Sequence, residues 1–146
     1  MITAKVIRRK LDPKALERLE KALTGPTTVA VGYPKGEVDP GIVERATYAE
    51  VGTRGQPERP FVRTTMAENA GVYRTLLRGA AERLLAGQTT LSRALDTIGQ
   101  EVATDMREAM SETAPLSTAT IERKGSAKVL HETGEMAAAL THKVDK

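Results

Sequence analysis

Two long runs of apolar residues at helical spacing constrain the fold more than any other feature of the sequence. The first run follows Thr65 and reaches Gly87, and the second begins near Thr89 or Thr90 and ends about Glu112. Apolar residues that recur every three or four positions form one stripe along a helix. Because only the segment GQTT separates the runs, we expect two long helices packed as an antiparallel pair.

Local signals mark where the first of these helices begins. Thr65 and Glu68 have the S/T-x-x-E spacing of a capping box, which satisfies the free backbone N–H groups at a helix start. A helix from Thr65 to Gly87 would be about 30 Å long. We therefore expect the helix to start at this box and to run without interruption.

Shorter segments supply the remaining predicted elements, and proline and glycine mark most of their ends. In chain order they are a strand at 1–9, a helix that starts at Asp12-Pro13 and stops at Gly25-Pro26, a strand at 27–34, a short helix at 42–51 ended by Gly52, and a final helical turn and strand within 130–144. This order predicts an α+β fold with a small β-sheet packed against two long antiparallel helices, with extended loops. We expect a single domain over 1–146, with protruding loops at about 52–63 and 114–129.

Composition argues against most catalytic chemistry. The chain has no cysteine, and its two histidines, His131 and His142, have no paired acidic motif around them. A histidine base must lie within hydrogen-bond reach of its nucleophile, and the sequence gives no such pairing. Only carboxylate or lysine catalysis therefore stays open, and most carboxylates fall on the solvated faces of predicted helices, which disfavours it. We expect no enzyme activity, no cofactor and no metal site.

The stretch EVGTRGQPERPFVR, residues 50–63, is the most unusual segment. Its prolines deny helical conformation to the residues before them, so the chain must leave Gly55 extended. This disfavours a phosphate-binding loop, which needs a helix that starts at the glycines. We interpret the segment as a stiffened docking loop. Phe61 is either an anchor for a partner or a plug in the chain's own core, and the residues alone leave both open.

A small nucleic-acid-binding module is the alternative function. Residues 52–55, GTRG, have the G-x-x-G spacing with which one class of RNA-binding domain clamps a backbone. A basic cluster at Lys5, Arg8, Arg9 and Lys10 could contact phosphates. The net charge of +3 comes from 22 basic and 19 acidic residues, so it is small for a nucleic-acid-binding surface. No run of roughly 18 apolar residues predicts a membrane span.

Two stretches together resemble a family of tailed-phage virion proteins known as neck, tail-completion, head–tail joining or minor tail proteins. The first is ATYAEVGTRGQPERPFVRTTMAENA, and the second runs from IGQEVATDM through the polar segment PLSTATIERKG to LHETGEMAAALTHKV. Together they cover residues 46 to 144. The sequence departs from the family pattern at Val51, where an aromatic residue is frequent, and at Met136 and Ala139 in the last helix.

The resemblance implies a non-enzymatic structural protein that forms a ring, commonly hexameric, where the head–tail connector or adaptor meets the tail terminator or tail-tube proteins. It implies a virion location after assembly in the host cytoplasm. Genomic DNA in the lumen of the ring is a further candidate partner, and the sequence leaves open whether DNA is contacted. A ring requires head-to-tail contacts between different patches of each subunit. The interface residues that the resemblance and the docking interpretation indicate are Gly52, Thr53, Arg54, Pro57, Arg59, Pro60, Phe61, Arg63, Thr120, Arg123 and Lys124.

Overall fold

The computed structural model describes residues 13–55, 57–112 and 134–145. Six helices and a two-stranded antiparallel sheet lie within these ranges, which confirms the α+β class. The predicted strand at 1–9 and the predicted loop at 114–129 lie outside the described residues. The elements are α1 Pro13–Leu23, β1 Val29–Gly32, α2 Pro40–Val51, α3 Phe61–Glu68, α4 Ala70–Leu85, α5 Leu91–Glu112, α6 Glu135–Ala139 and β2 Thr141–Val144.

The longest helix, α5, is the centre of the fold. Its start is capped by Thr90, whose hydroxyl accepts a hydrogen bond from the backbone N–H of Arg93 at 3.3 Å. One side of α5 is buried, and it contacts α3, α4 and both strands. The apolar stripe predicted for this helix is therefore the main surface on which the other elements pack. Its buried members include Leu95, Ile98, Val102, Met106 and Met110.

The two strands pair although they lie at opposite ends of the chain. Val29 is opposite Val144, and Gly32 is opposite Thr141. The pairing continues past the strands, since the backbone N–H of Asp145 donates to the Thr28 carbonyl at 3.2 Å. The sheet rests on α5, so residues 141–145 are held against this helix.

Gly99 allows the sheet to approach α5 closely. A Cβ atom at this buried position would lie 2.6 Å from Cδ2 of His142 and 2.8 Å from Cγ2 of Val29. Non-bonded carbon atoms do not approach so closely, and a close-packed interior has no free space into which they could move apart. The imidazole is also fixed by a 2.8 Å contact between its Nε2 and Oδ1 of Asp96. Both strands thus contact the helix at one glycine.

The predicted helix from Thr65 to Gly87 is corrected by the structure. The helix already begins at Phe61 and is divided at Asn69, which has φ −93° and ψ 7°. Thr65 caps nothing, because its hydroxyl donates to the Phe61 carbonyl at 2.6 Å inside α3, where Thr65 is buried. The expected pair of two long helices is therefore not confirmed in that form: α3 and α4 together take the place of the first.

Polar side chains fasten the end of the chain to the body. The Arg107 guanidinium donates to the carbonyls of Ala137 at 3.1 Å and Leu140 at 2.6 Å, where α6 ends. The Tyr33 hydroxyl donates to the Met136 carbonyl at 3.0 Å. These bonds satisfy carbonyls that a helix end leaves without a partner inside the helix. Leu140 itself is fully buried, so the C-terminal segment is part of the core.

No helix in the described ranges combines the length and the hydropathy that a bilayer span requires.

Candidate functional site

The candidate site is the loop between α2 and α3. It starts where Gly52 ends α2, with φ 75° and a backbone N–H that donates to the Tyr48 carbonyl at 2.9 Å. A positive φ favours glycine, because a side chain would clash with the backbone. The sequence therefore predicted this helix end correctly, and the loop leaves α2 in a direction that glycine permits.

Glu50 connects the end of α2 to the start of α3. Its carboxylate accepts hydrogen bonds from the backbone N–H groups of Val62 and Arg63, both at 3.0 Å. It also accepts a hydrogen bond from Nε of Arg63 at 3.2 Å. The first turn of a helix carries unpaired N–H groups and a partial positive charge, so a carboxylate there is favourable. Glu50 thus caps α3 in place of the capping box predicted at Thr65.

Arg63 and Arg59 fasten the loop itself. Nη2 of Arg63 donates to the Glu50 carbonyl at 2.8 Å and to Oε2 of Glu58 at 3.0 Å. These bonds, first to Glu58 and then to Glu50, raise the pKa of the Arg63 guanidinium. The backbone N–H of Arg59 donates to the Ala49 carbonyl at 2.7 Å. The far end of the loop is therefore bonded back to α2, and the loop is not a free arm.

Most of the predicted interface residues in this loop remain accessible. Thr53, Arg54 and Pro57 are exposed, and so is Glu58, while Arg59 and Pro60 are half-buried. The loop therefore presents a polar surface, and hydrogen bonds hold its ends in place. Residues 52–55 do not join two helices directly, since α3 begins only at Phe61. That connection differs from the one that a G-x-x-G nucleic-acid clamp requires.

Phe61 points inward. Its side chain is only 2% exposed and belongs to the buried cluster that also contains Met106 and Leu140. Of the two alternatives left open by the sequence, the structure supports the plug in the chain's own core. Phe61 offers no surface to a partner in this conformation, so we remove it from the interface residues.

A shallow depression adjoins the loop. It has a volume of about 290 Å³ and lies where the end of β1, the side of α2 and the first turn of α3 meet. Its lining is mostly apolar and includes Tyr33, Thr47, Val51 and Val62. Val51 is 60% exposed, which is unusual for a large aliphatic side chain at the rim of a cavity.

The downstream part of the predicted interface is not covered. Thr120, Arg123 and Lys124 lie outside the described residues, so their position relative to the loop stays a prediction. Glu50 and Glu58 were not predicted from the sequence as residues of the site. Their only sequence signal is an acidic side chain within reach of Arg63, and nothing local distinguishes such a pair from ordinary surface charges.

Two further pairs of polar side chains, Tyr73 with Asp105 and His142 with Asp96, connect elements of the fold. The Tyr73 hydroxyl donates to Oδ2 of Asp105 at 2.7 Å, and burial, followed by this bond, raises the tyrosine pKa. The His142 imidazole contacts Asp96 and packs over Gly99, while His131 lies outside the described residues. The described part of the chain has no group of three metal-binding side chains.

Comparison of the chain with protein-family models, with curated proteins and with solved structures found no match.

Proposed function

We propose that this chain is a structural protein of a tailed-phage virion, which forms a ring at the head–tail interface and joins the connector to the tail. The proposal rests first on the two sequence stretches that resemble the neck and tail-completion family. In this proposal the α3–α4 segment and α5 act as the pair of long antiparallel helices that carry the sheet and the loop.

The observation that carries the proposal is the fastening of an exposed loop at both ends. Glu50, Arg63 and the Arg59–Ala49 backbone bond fix the ends, while Thr53, Arg54 and Pro57 face outward. Ordering a flexible loop costs free energy that is subtracted from binding. A loop whose ends are already fixed avoids part of that cost, which suits a protein that must assemble with fixed geometry.

The partners follow from the same proposal. Copies of the chain contact one another in a ring, and the family resemblance favours six copies. The connector or adaptor lies on one side and the tail terminator or tail tube on the other. Genomic DNA in the lumen is a further candidate partner.

Deletion of the gene in the phage tests this function. The proposal predicts filled heads and complete tails that fail to join, and rescue by the wild-type gene supplied in trans. A complementing gene with Arg54→Asp and Pro57→Gly should fold normally and rescue poorly, because both changes alter only exposed loop residues. Normal infectious particles from the deletion strain would contradict the proposal.

A further inference from the structure

Two exposed helix faces, one before and one after the candidate loop in the chain, lie outside the buried core of the described residues. The α4 face consists of Arg74, Leu77, Arg78, Ala81 and Leu85, which recur at helical spacing, and all of them are exposed. Leu77 is 49% exposed and Leu85 is 62% exposed. The buried side of the same helix carries Tyr73, Ala80 and Leu84, so this outer face lies outside the buried core of the described residues. Only its end, at Leu85, borders a cavity beside α1.

The α2 face consists of Glu44, Thr47, Tyr48 and Val51, again at helical spacing and again exposed. Tyr48 is 45% exposed, and Val51 borders the depression of about 290 Å³. The buried residues Ala46 and Ala49 lie on the other side of the helix. This face is therefore a row of accessible side chains beside a concave surface.

The charges of the two faces are complementary. Arg74 and Arg78 lie one turn apart, and like charges at this spacing repel each other. Neither guanidinium has an ion-pair partner among the described residues. On the α2 face, the Glu44 carboxylate accepts a hydrogen bond from the Tyr48 hydroxyl at 2.6 Å, and it has no other side-chain partner among the described residues. An anionic partner would relieve the repulsion on α4, and a cationic partner would pair with Glu44.

The shapes of the faces are complementary, and the α4 face is long enough to span the α2 face. From Arg74 to Leu85 the α4 face is about 16 Å long, and from Glu44 to Val51 the α2 face is about 10 Å long. The α4 face is a convex helix surface with two projecting leucines, whereas the α2 face adjoins a depression. Neither face can meet the other within one chain, because both are exposed in it.

We propose that the α4 face of one copy of this chain docks on the α2 face of a second copy. Leu77 would cover Val51 and the depression, and Arg74 and Arg78 would reach Glu44. Because the two faces differ, the contact is head-to-tail, and repeated copies close into a ring when the rotation permits. The inference rests on the proposed function in that it names the surfaces by which the ring forms.

Disulfide trapping tests this contact, since the chain has no cysteine of its own. The test mixes two full-length single variants, Leu77→Cys and Val51→Cys, under mild oxidation, both as purified protein and in phage particles. The matched control replaces Leu77→Cys by Val72→Cys. Val72 is 54% exposed on the same helix and lies about 140° around its axis from Leu77.

Mass spectrometry of the disulfide-linked products gives the outcome. The expected result is a mixed dimer of the two variants, formed about tenfold faster than with the Val72→Cys control, which corresponds to 1.4 kcal/mol of preference. A chain with both Leu77→Cys and Val51→Cys should form a ladder of covalent oligomers. Homodimers of Leu77→Cys alone, or rates equal to the control in protein and particles, would overturn the inference.

Charge exchange adds a second arm. Arg78→Glu and Glu44→Arg should each slow the mixed cross-link, and the two variants paired with each other should restore it. The result is separate from the deletion test of the proposed function. If the deletion strain gives unjoined heads and tails but the cross-link does not form, the proposed function stands and these contact surfaces are wrong. If the cross-link forms but the deletion strain gives normal particles, the contact surfaces stand and the proposed function is wrong.

Discussion

The carboxylate of Glu50 caps the helix that begins with Phe61, through hydrogen bonds of 3.0 Å to the backbone N–H groups of Val62 and Arg63. One side chain thus ties the end of α2 to the start of α3. The intervening loop has its ends fixed by the same residue that stabilises the next helix. The shape of the candidate interface and the stability of the fold are therefore coupled.

Glu50→Ala should lower the free energy of unfolding by about 1 to 3 kcal/mol, because it leaves two backbone donors of the first turn without a protein acceptor. Glu50→Gln should cost less, since an amide oxygen still accepts one of these bonds. Urea denaturation followed by circular dichroism measures both. Glu68→Ala is the control, because Glu68 is exposed in α3. An equal loss in Glu68→Ala would favour the capping box that the structure replaces.

Phe61→Ala should cost about 3 to 5 kcal/mol, as expected for the removal of a fully buried aromatic side chain. Differential scanning calorimetry should show a lower melting temperature for the isolated chain. Met66→Ala, which removes a 45% exposed side chain from the same helix, should melt close to wild type. If Phe61→Ala melts normally and only assembly fails, Phe61 is an interface anchor and its burial here is not the functional state.

Gly99→Ala and Gly79→Ala should have opposite effects on stability. A methyl group at Gly99 would overlap His142 and Val29, so we expect a loss of about 1 to 3 kcal/mol. A Cβ at Gly79, inside α4, meets nothing within 4 Å, and alanine there should add up to about 1 kcal/mol through helix propensity. Chemical denaturation of both variants tests the pair. Equal effects would contradict the close approach of the sheet to α5.

Stability should fall as pH rises above the ordinary tyrosine pKa of about 10. Burial raises the pKa of Tyr33 and of Tyr73 in the folded chain, so the unfolded chain loses these protons first. The folded state then binds more protons than the unfolded state, and the slope of unfolding free energy against pH is negative. Below pH 10 the contribution of both tyrosines is fully present.

The free energy of unfolding, measured by urea denaturation between about pH 8 and pH 11, tests whether these tyrosines cause the pH dependence. A variant with Tyr33→Phe and Tyr73→Phe should lose stability less steeply with pH than wild type. Tyr48→Phe is the control. The hydrogen bond to Glu44 also raises the Tyr48 pKa, but solvent screens this exposed pair, so the variant should keep most of the wild-type slope. Parallel curves for wild type and the double variant would remove these tyrosines as the cause.

The sequence predicted those elements whose ends have local signals. Pro13 at the first turn and Gly25 beyond the last predicted α1, Gly52 predicted the end of α2, and Thr90 predicted the start of α5. Each signal acts within one turn of the helix end it marks. The α+β class followed from the order of these elements.

Long-range contacts account for what the sequence could not predict. The start of α3 depends on Glu50, 11 positions before Phe61, whereas the nearby Thr65 and Glu68 gave a convincing but incorrect local signal. The burial of Phe61 depends on α5 and on Leu140 near the end of the chain. Pairing of Val29 with Val144 likewise has no local signature. Periodicity identifies a helix face but not what covers it.

Electron cryomicroscopy of the phage neck would show the proposed ring itself. We expect a ring of copies of this chain between the connector and the tail, with residues 52–60 at a contact between proteins and with Phe61 inside each copy. A neck map that has no density for this chain, from particles that contain every other neck and tail protein, would contradict it.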